Sequence, residues 1–212
     1  MQEKIAIIDY GAGNLRSVLN SLEFCGYCGE VVREPSKLAE FDKAILPGVG
    51  AFGEAMAKLN GLNFTRAILD FAAQNKPLLG ICLGMQLLFE SSFEFGKTSG
   101  LGLLEGEVVA FKSGEFKDEF GRKIELKIPH TGWNACEFKK LTPVNDGLKQ
   151  SEFLYFVHSF HAVCDKSLAL CTTNYGYEFV SGVQQTNIFG FQPHPEKSGR
   201  VGLEILRNFC KI

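Results

Sequence analysis

The 212-residue chain lacks most of the features that mark a membrane, nucleic-acid or metal protein. No apolar run approaches the roughly 20 residues of a bilayer-spanning helix. Met1-Gln2-Glu3-Lys4-Ile5 has no long apolar stretch of the kind that opens a signal peptide, so the chain is expected in the cytoplasm. A net charge of -2 gives no basic footprint for nucleic acid or an anionic surface. Cysteines number seven, an odd count that reads as reduced thiols in the absence of a secretion signal. Cys25-Gly26-Tyr27-Cys28 has CxxC spacing, but no second pair exists to complete a zinc site. It also ends a helical pattern, where thioredoxin-like pairs begin one, and is read as structural or incidental thiols. Cys136, Cys164, Cys171 and Cys210 lie in mixed or apolar runs and are expected to be buried small hydrophobes. No metal and no cofactor are expected. Internal repeats, low-complexity segments and linkers are absent, so residues 1–212 are read as a single domain.

What is present divides the chain into two halves. The first alternates strands and helices: strands at Lys4–Asp9, Val31–Val32, Lys43–Leu46 and Pro77–Ile81, and helices at Asn14–Cys25, Phe52–Leu59 and Phe64–Gln74. Such an alternation predicts a doubly wound α/β fold, a mostly parallel sheet flanked by helices. The second half reads as short strands at Leu104–Phe111, Lys123–Ile128, Phe153–Val157, Ala169–Thr173, Phe179–Gln184 and Ile188–Gln192. These predict additional antiparallel pieces beside the parallel sheet. A helix over Gly202–Phe209 closes the chain.

Gly80-Ile81-Cys82-Leu83-Gly84 follows an apolar strand and precedes a helix-like run, Met85-Gln86-Leu87-Leu88-Phe89-Glu90. Glycines two residues to either side allow the sharp turn of a nucleophile elbow, with Cys82 exposed at its tip. A helix N-terminus beside it favours thiolate, and the Leu83 N–H is placed as an oxyanion donor. A thiol used this way needs a base, and the base needs an orienting acid. His194-Pro195-Glu196 supplies both, because residues two apart on an extended backbone point to the same side. Taken alone, this tripeptide could equally be a rigid surface turn and Cys82 a core thiol; together they predict a Cys-His-Glu triad. Leu46-Pro47-Gly48-Val49-Gly50 follows another strand. It reads either as a tight strand-to-helix turn or as a loop whose Val49 peptide offers a second oxyanion donor. Gly11-Ala12-Gly13-Asn14-Leu15-Arg16 begins like a dinucleotide fingerprint, but Arg16 occupies the third glycine position. No acidic residue ends the next strand either, which excludes the NAD reading.

These elements together resemble the class I (triad) glutamine amidotransferases, and more narrowly the HisH family of glutaminase subunits of imidazole glycerol phosphate synthase. The similar stretches are Ile7–Val18, Leu46–Phe52, Gly80–Glu90, Pro129–Asn134 and His194–Ser198, in that order along nearly the whole chain. The resemblance implies that Cys82 attacks the side-chain amide of glutamine, with His194 as base and then proton donor and Glu196 holding the imidazole. It implies an oxyanion hole from Val49 and Leu83. Gly48, Gly50, Gln86, Glu94, Ser159 and Phe160 would bind substrate. It further implies a (βα)8-barrel cyclase as partner in a heterodimer, with Trp133 and Asn14 facing it. Ammonia would pass to that cyclase, which makes imidazole glycerol phosphate and aminoimidazole carboxamide ribotide in histidine biosynthesis. Pro193, Thr131 and Phe160 depart from the family pattern, which commonly has an aromatic, methionine and tyrosine there. They leave open a paralogue feeding another acceptor, such as an amidino sugar of a surface glycan. A cysteine peptidase or deglycase on a similar fold, which would not need Gln86 and Glu94, is a further alternative. A non-catalytic scaffolding homologue should have lost Cys82, His194 or Glu196, and all three are present.

Overall fold

A computed structural model describes residues 3–112, 114–117 and 121–212. The first strands are short apolar runs buried on both faces. Every residue of β1 (Ile5–Ile8) is buried, and β2 (Gly29–Val32) pairs with it in parallel. The strands β3 (Lys43–Gly48) and β4 (Leu78–Cys82) are buried throughout. Successive side chains of a strand point to opposite faces, so Ile5 and Ile7 enter one core cluster and Ala6 and Ile8 the other.

Helices cover both faces. The helices are α1 (Leu15–Phe24), α2 (Phe52–Gly61), α3 (Phe64–Ala73), the short α4 (Leu83–Leu87) and α5 (Gly199–Lys211). Val18 and Leu22 of α1 join Ile205, Leu206 and Phe209 of α5 over Ile5, Ile7 and Ile45. Phe52, Met56 and Leu59 of α2 join Phe64, Ile68 and Phe71 of α3 over Ala6, Ile8 and Ala44. Apolar residues recurring at helical spacing form these faces. No helix among the described residues is long and apolar enough to cross a membrane.

The second half adds β5 (Phe89–Ser92), β6 (Thr98–Ser99), β7 (Leu104–Ala110), β8 (Glu115–Lys117), β9 (Lys123–Glu125), β10 (His130–Phe138) and β11 (Ser151–His158). It continues with β12 (Phe160–Val163), β13 (Ala169–Tyr175), β14 (Tyr177–Gln185) and β15 (Ile188–Phe191). The main sheet runs β2-β1-β3-β4-β15-β14-β12-β7-β5-β6, with β13 on β14, β10 on β13 and β11 on β10. It is parallel from β2 to β15 and turns antiparallel at the β15–β14 pair. The hairpin β8–β9 stands apart.

The α/β architecture with antiparallel additions is the one expected, and the first-half elements fall within a few residues of the predicted bounds. Cys164, expected to be buried, is only partly so, and the strand read over Lys123–Ile128 ends at Glu125. Two further expectations need correction. The helix read over Met85–Glu90 ends at Leu87, because Phe89–Ser92 is drawn into the sheet beside β7 and β6. The Gly132-Trp133-Asn134 segment, given no strand above, lies inside the nine-residue strand β10, paired residue for residue with β11.

Candidate active site

Cys82 ends β4, and α4 starts at the next residue. The turn is sharp enough to force Cys82 to φ 55° and ψ -113°. A side chain other than glycine costs about 1–3 kcal/mol in such a conformation, and sites that hold one are commonly functional. Close packing sustains it. Gly48 lies opposite Cys82 in the β3–β4 register. A Cβ on Gly48 would meet Gly84 N at 2.7 Å and the Tyr10 hydroxyl at 2.8 Å, and one on Gly84 would collide with the Leu46 carbonyl oxygen. The turn and the end of β3 are thus pressed together backbone to backbone.

The base arrives on the neighbouring strand. β15 pairs in parallel with β4, with Phe191 opposite Ile81, so Gln192 and His194 leave the sheet beside Cys82. His194 N donates to the Tyr155 carbonyl at 2.8 Å, and the Ser198 hydroxyl donates to the His194 carbonyl at 2.6 Å. These bonds pin the backbone on both sides of the ring. His194 Nδ1 lies 2.8 Å from Glu196 Oε1, with the two side chains 3% and 2% exposed. Burial pushes the imidazole pKa down, but contacts with Cys82 and Glu196 outweigh it and raise the value to about 9. Nε2 makes no hydrogen bond and is the ring nitrogen left to serve the thiol.

Cys82, Leu83, Gln86, Glu94, Ser159, Phe160, His194, Val49 and Gly50 line one cleft of about 400 Å³. Glu196 stands behind His194 and does not line it. Gly48 does not line it either: its substrate contact was expected from the resemblance, but the residue is buried under the cysteine turn. Val49 is 45% exposed, and Gly50 takes φ 95°. Glu94 is no free loop carboxylate, since its Oε2 accepts from Phe52 N at 2.6 Å. It therefore caps the first turn of α2, where anionic groups are favoured. Asn14 and Trp133 lie outside the cleft. The Asn14 side chain accepts from Ser17 N at the start of α1. Trp133 is 56% exposed on β10.

Two contributors escaped the sequence reading. Gln192 is fully buried, and its Nε2 donates to the Cys82 sulfur at 3.8 Å. Gln86 holds Gln192 in place, donating from Nε2 to Gln192 Oε1 at 2.9 Å and to the Phe160 carbonyl at 3.0 Å. The signal available was position: Gln192 shares the side of His194 two residues on, after a strand with no other polar side chain. Tyr10 is the second, 1% exposed, its phenol pushed above the ordinary range first by burial and then by nearby Cys82. No group of His, Cys, Asp or Glu among the described residues could hold a metal ion.

The arrangement brings a thiol, an imidazole and a carboxylate together where β4 and β15 end, at the edge of the parallel part of the sheet. Comparison with known proteins points the same way. The family model "Glutamine amidotransferase class-I" matches residues 6–212. The imidazole glycerol phosphate synthase subunit HisH of Wolinella succinogenes is 51% identical, over 98% of this chain and 99% of its own. The protein of the same name from Sulfurimonas denitrificans is 53% identical, over 98% and 97%. Among solved structures, a chain of PurLQS from Thermotoga maritima superposes with a TM-score of 0.70 at 21% identity, covering 100% of this chain and 99% of its own. At that identity the likeness speaks for the fold.

Proposed function

The chain belongs to the class I glutamine amidotransferases, among the HisH subunits, and on that premise we propose that it hydrolyses glutamine for an imidazole glycerol phosphate synthase. The observation that carries the chemistry is the convergence of Cys82 and His194 on one cleft, with Glu196 2.8 Å behind the imidazole.

Cys82 attacks the carboxamide carbon of glutamine, and the oxygen that gains charge is met by the Leu83 and Val49 N–H groups. The amide –NH2 of the tetrahedral intermediate leaves only once it is protonated, as ammonia. The proton on His194 Nε2 supplies that need, and its raised pKa keeps the ring charged near neutrality. Glu196 fixes the imidazole so that Nε2 faces the reaction, the task of the third member in any such triad. Water then hydrolyses the glutamyl thioester, with His194 now taking a proton, and glutamate leaves. Gln192 steadies the sulfur, while Gln86, Glu94, Gly50 and the Ser159–Phe160 backbone bind the glutamine head group. No step requires a cofactor.

Ammonia is passed to a (βα)8-barrel cyclase bound as a heterodimer in the cytoplasm. Trp133 is an exposed aromatic of the kind that dominates binding hot spots, and together with Asn14 it faces that partner. The Val49 N–H rests turned away until the loaded cyclase docks, so the isolated glutaminase is nearly silent.

Glutamate release would be measured for the chain alone, with its cognate cyclase, and with cyclase plus the histidine-pathway nucleotide. Strong stimulation by the nucleotide, lost in Cys82→Ala, is expected. Activity that ignores the nucleotide would transfer the ammonia to another acceptor, such as an amidino sugar. Cleavage of peptides or glycated thiols without glutamine hydrolysis would replace the glutaminase reading with a peptidase or deglycase.

A further inference from the structure

Two of the four histidines, His130 and His158, take no part in the chemistry above, yet they are buried side by side, 3% and 6% exposed, with His158 on the wall of the cleft and His130 behind it. His130 is stacked between the rings of Phe156 and Tyr175, with centroids 4.6 and 4.0 Å away. His158 lies against Phe111, Phe156 and Phe179. Burying an imidazole in such a setting is costly unless its nitrogens are satisfied.

The partners fix every proton. The Phe160 carbonyl, 2.8 Å from His158 Nδ1, is an acceptor, so Nδ1 carries the hydrogen and Nε2 must accept. His130 Nδ1, 3.0 Å from His158 Nε2, is therefore the donor of that pair. His130 Nε2 is left as acceptor for the Asn134 amide at 3.2 Å. Asn134 cannot be turned the other way, because its second N–H is given to the Asn174 carbonyl at 2.9 Å and its oxygen accepts from Ala135 N at 2.8 Å. A proton added to either ring sets donor against donor somewhere along the line. Burial independently lowers both pKa values, to about 4 for His130 and about 3 for His158.

The line ends on a carbonyl that the site also uses. Phe160 O accepts from His158 on one side and from Gln86 on the other, and Gln86 carries Gln192, which touches the Cys82 sulfur. Both lone pairs of that oxygen are spent, so the Phe160 peptide is fixed in direction and its carbonyl is closed to substrate. We propose that His130 and His158 are positioning residues of the glutamine pocket: as neutral Nδ1–H tautomers they lock the Phe160 carbonyl from which the Gln86–Gln192 pair is hung. The proposal rests on the glutaminase reading only for its kinetic readout. It predicts that losing the His130 donor leaves His158 Nε2 a buried acceptor without a partner, so that the ring shifts, its bond to the Phe160 oxygen weakens and the pocket loosens.

Imidazole ¹⁵N spectra of the cyclase complex, with glutaminase kinetics, test this. The unaltered protein should show both rings neutral with hydrogen on Nδ1, the less common tautomer of a free histidine side chain. His130→Leu should keep the His158 hydrogen on Nδ1 and move the Nε2 signal, which has lost its hydrogen-bond donor. It should raise KM for glutamine about tenfold with kcat changed by less than about threefold, as expected when one buried acceptor is left unpaired. His130→Asn sets an amide N–H near the lost Nδ1 and should recover most of the KM. Either ring found in the Nε2–H form, an unmoved KM in His130→Leu, or an Asn variant no better than the Leu variant would overturn the proposal. If the unaltered complex released no glutamate, the Nδ1–H signals would still support the locked carbonyl, and the activity reading alone would fall.

Discussion

His194, held between Cys82 and Glu196, should make stability depend on pH in the alkaline range. In the unfolded chain His194 titrates near 6.5, and in the folded protein at about 9. A folded value raised above the unfolded one contributes stability that is complete below pH 6.5 and is lost as pH climbs through 9. A shift of that size corresponds to about 3 kcal/mol. The perturbation is the double substitution His194→Gln with Glu196→Gln, which removes both ionisable groups and leaves amides able to pair. Urea unfolding of both proteins between pH 6 and pH 10 gives the difference in stability at each pH. That difference should fall by about 3 kcal/mol across the range, a relative midpoint change of about 1 M urea or more. A difference that stays flat would refute the reasoning, because then His194 is not held protonated by its neighbours. A difference that grew with pH would mean the ring is stabilised in its neutral form.

Other substitutions probe the turn and the surface. Cys82→Gly should abolish glutamate release while raising stability by about 1 kcal/mol, because glycine accepts the positive φ without strain; an unchanged thermal midpoint would contradict the strain. Gly84→Ala drives a methyl into the Leu46 carbonyl and should cost about 1–3 kcal/mol in urea unfolding, as overpacking does. Trp133→Ala should leave unfolding within about 0.5 kcal/mol, as exposed positions usually do. It should weaken cyclase binding about tenfold or more in a titration; unchanged affinity would remove Trp133 from the interface.

The parts of the fold visible in the amino-acid order are those set by local pattern. β1, β3 and β4 are apolar runs buried on both faces, and the helices between them carry their own periodicity. The misread segments are those whose state depends on distant pairing. Gly132-Trp133-Asn134 has turn composition but is held straight by Phe156, Tyr155 and Leu154 of β11. Phe89-Glu90 suits a helix but is claimed by β7, and Phe89 lies opposite Leu104. The site divides in the same way. Cys82 and Leu83 follow from turn chemistry, whereas His194 and Glu196 meet across a 3₁₀ turn over Pro195–Lys197 and not along the extended chain that the two-residue spacing implied. Gln192 beside Cys82 and His130 beside His158 follow from strand register, which joins residues far apart in the chain. Spacing marks Gln192 as sharing the side of His194, but only the register puts it on the sulfur, and no spacing brings His130 to His158.

One strand has a consequence for how the protein is made. Among the described residues, β15 is the only ladder connection between the parallel half of the sheet, ending at β4, and the antiparallel half, beginning at β14. It is also the last strand in chain order, so a chain leaving the ribosome exposes the inner edges of both half-sheets until Ile188–Phe191 emerges. The same four residues deliver His194. Closing the seam and bringing an imidazole to the Cys82 thiol are therefore one event, and an unfinished chain carries the thiol without its ring.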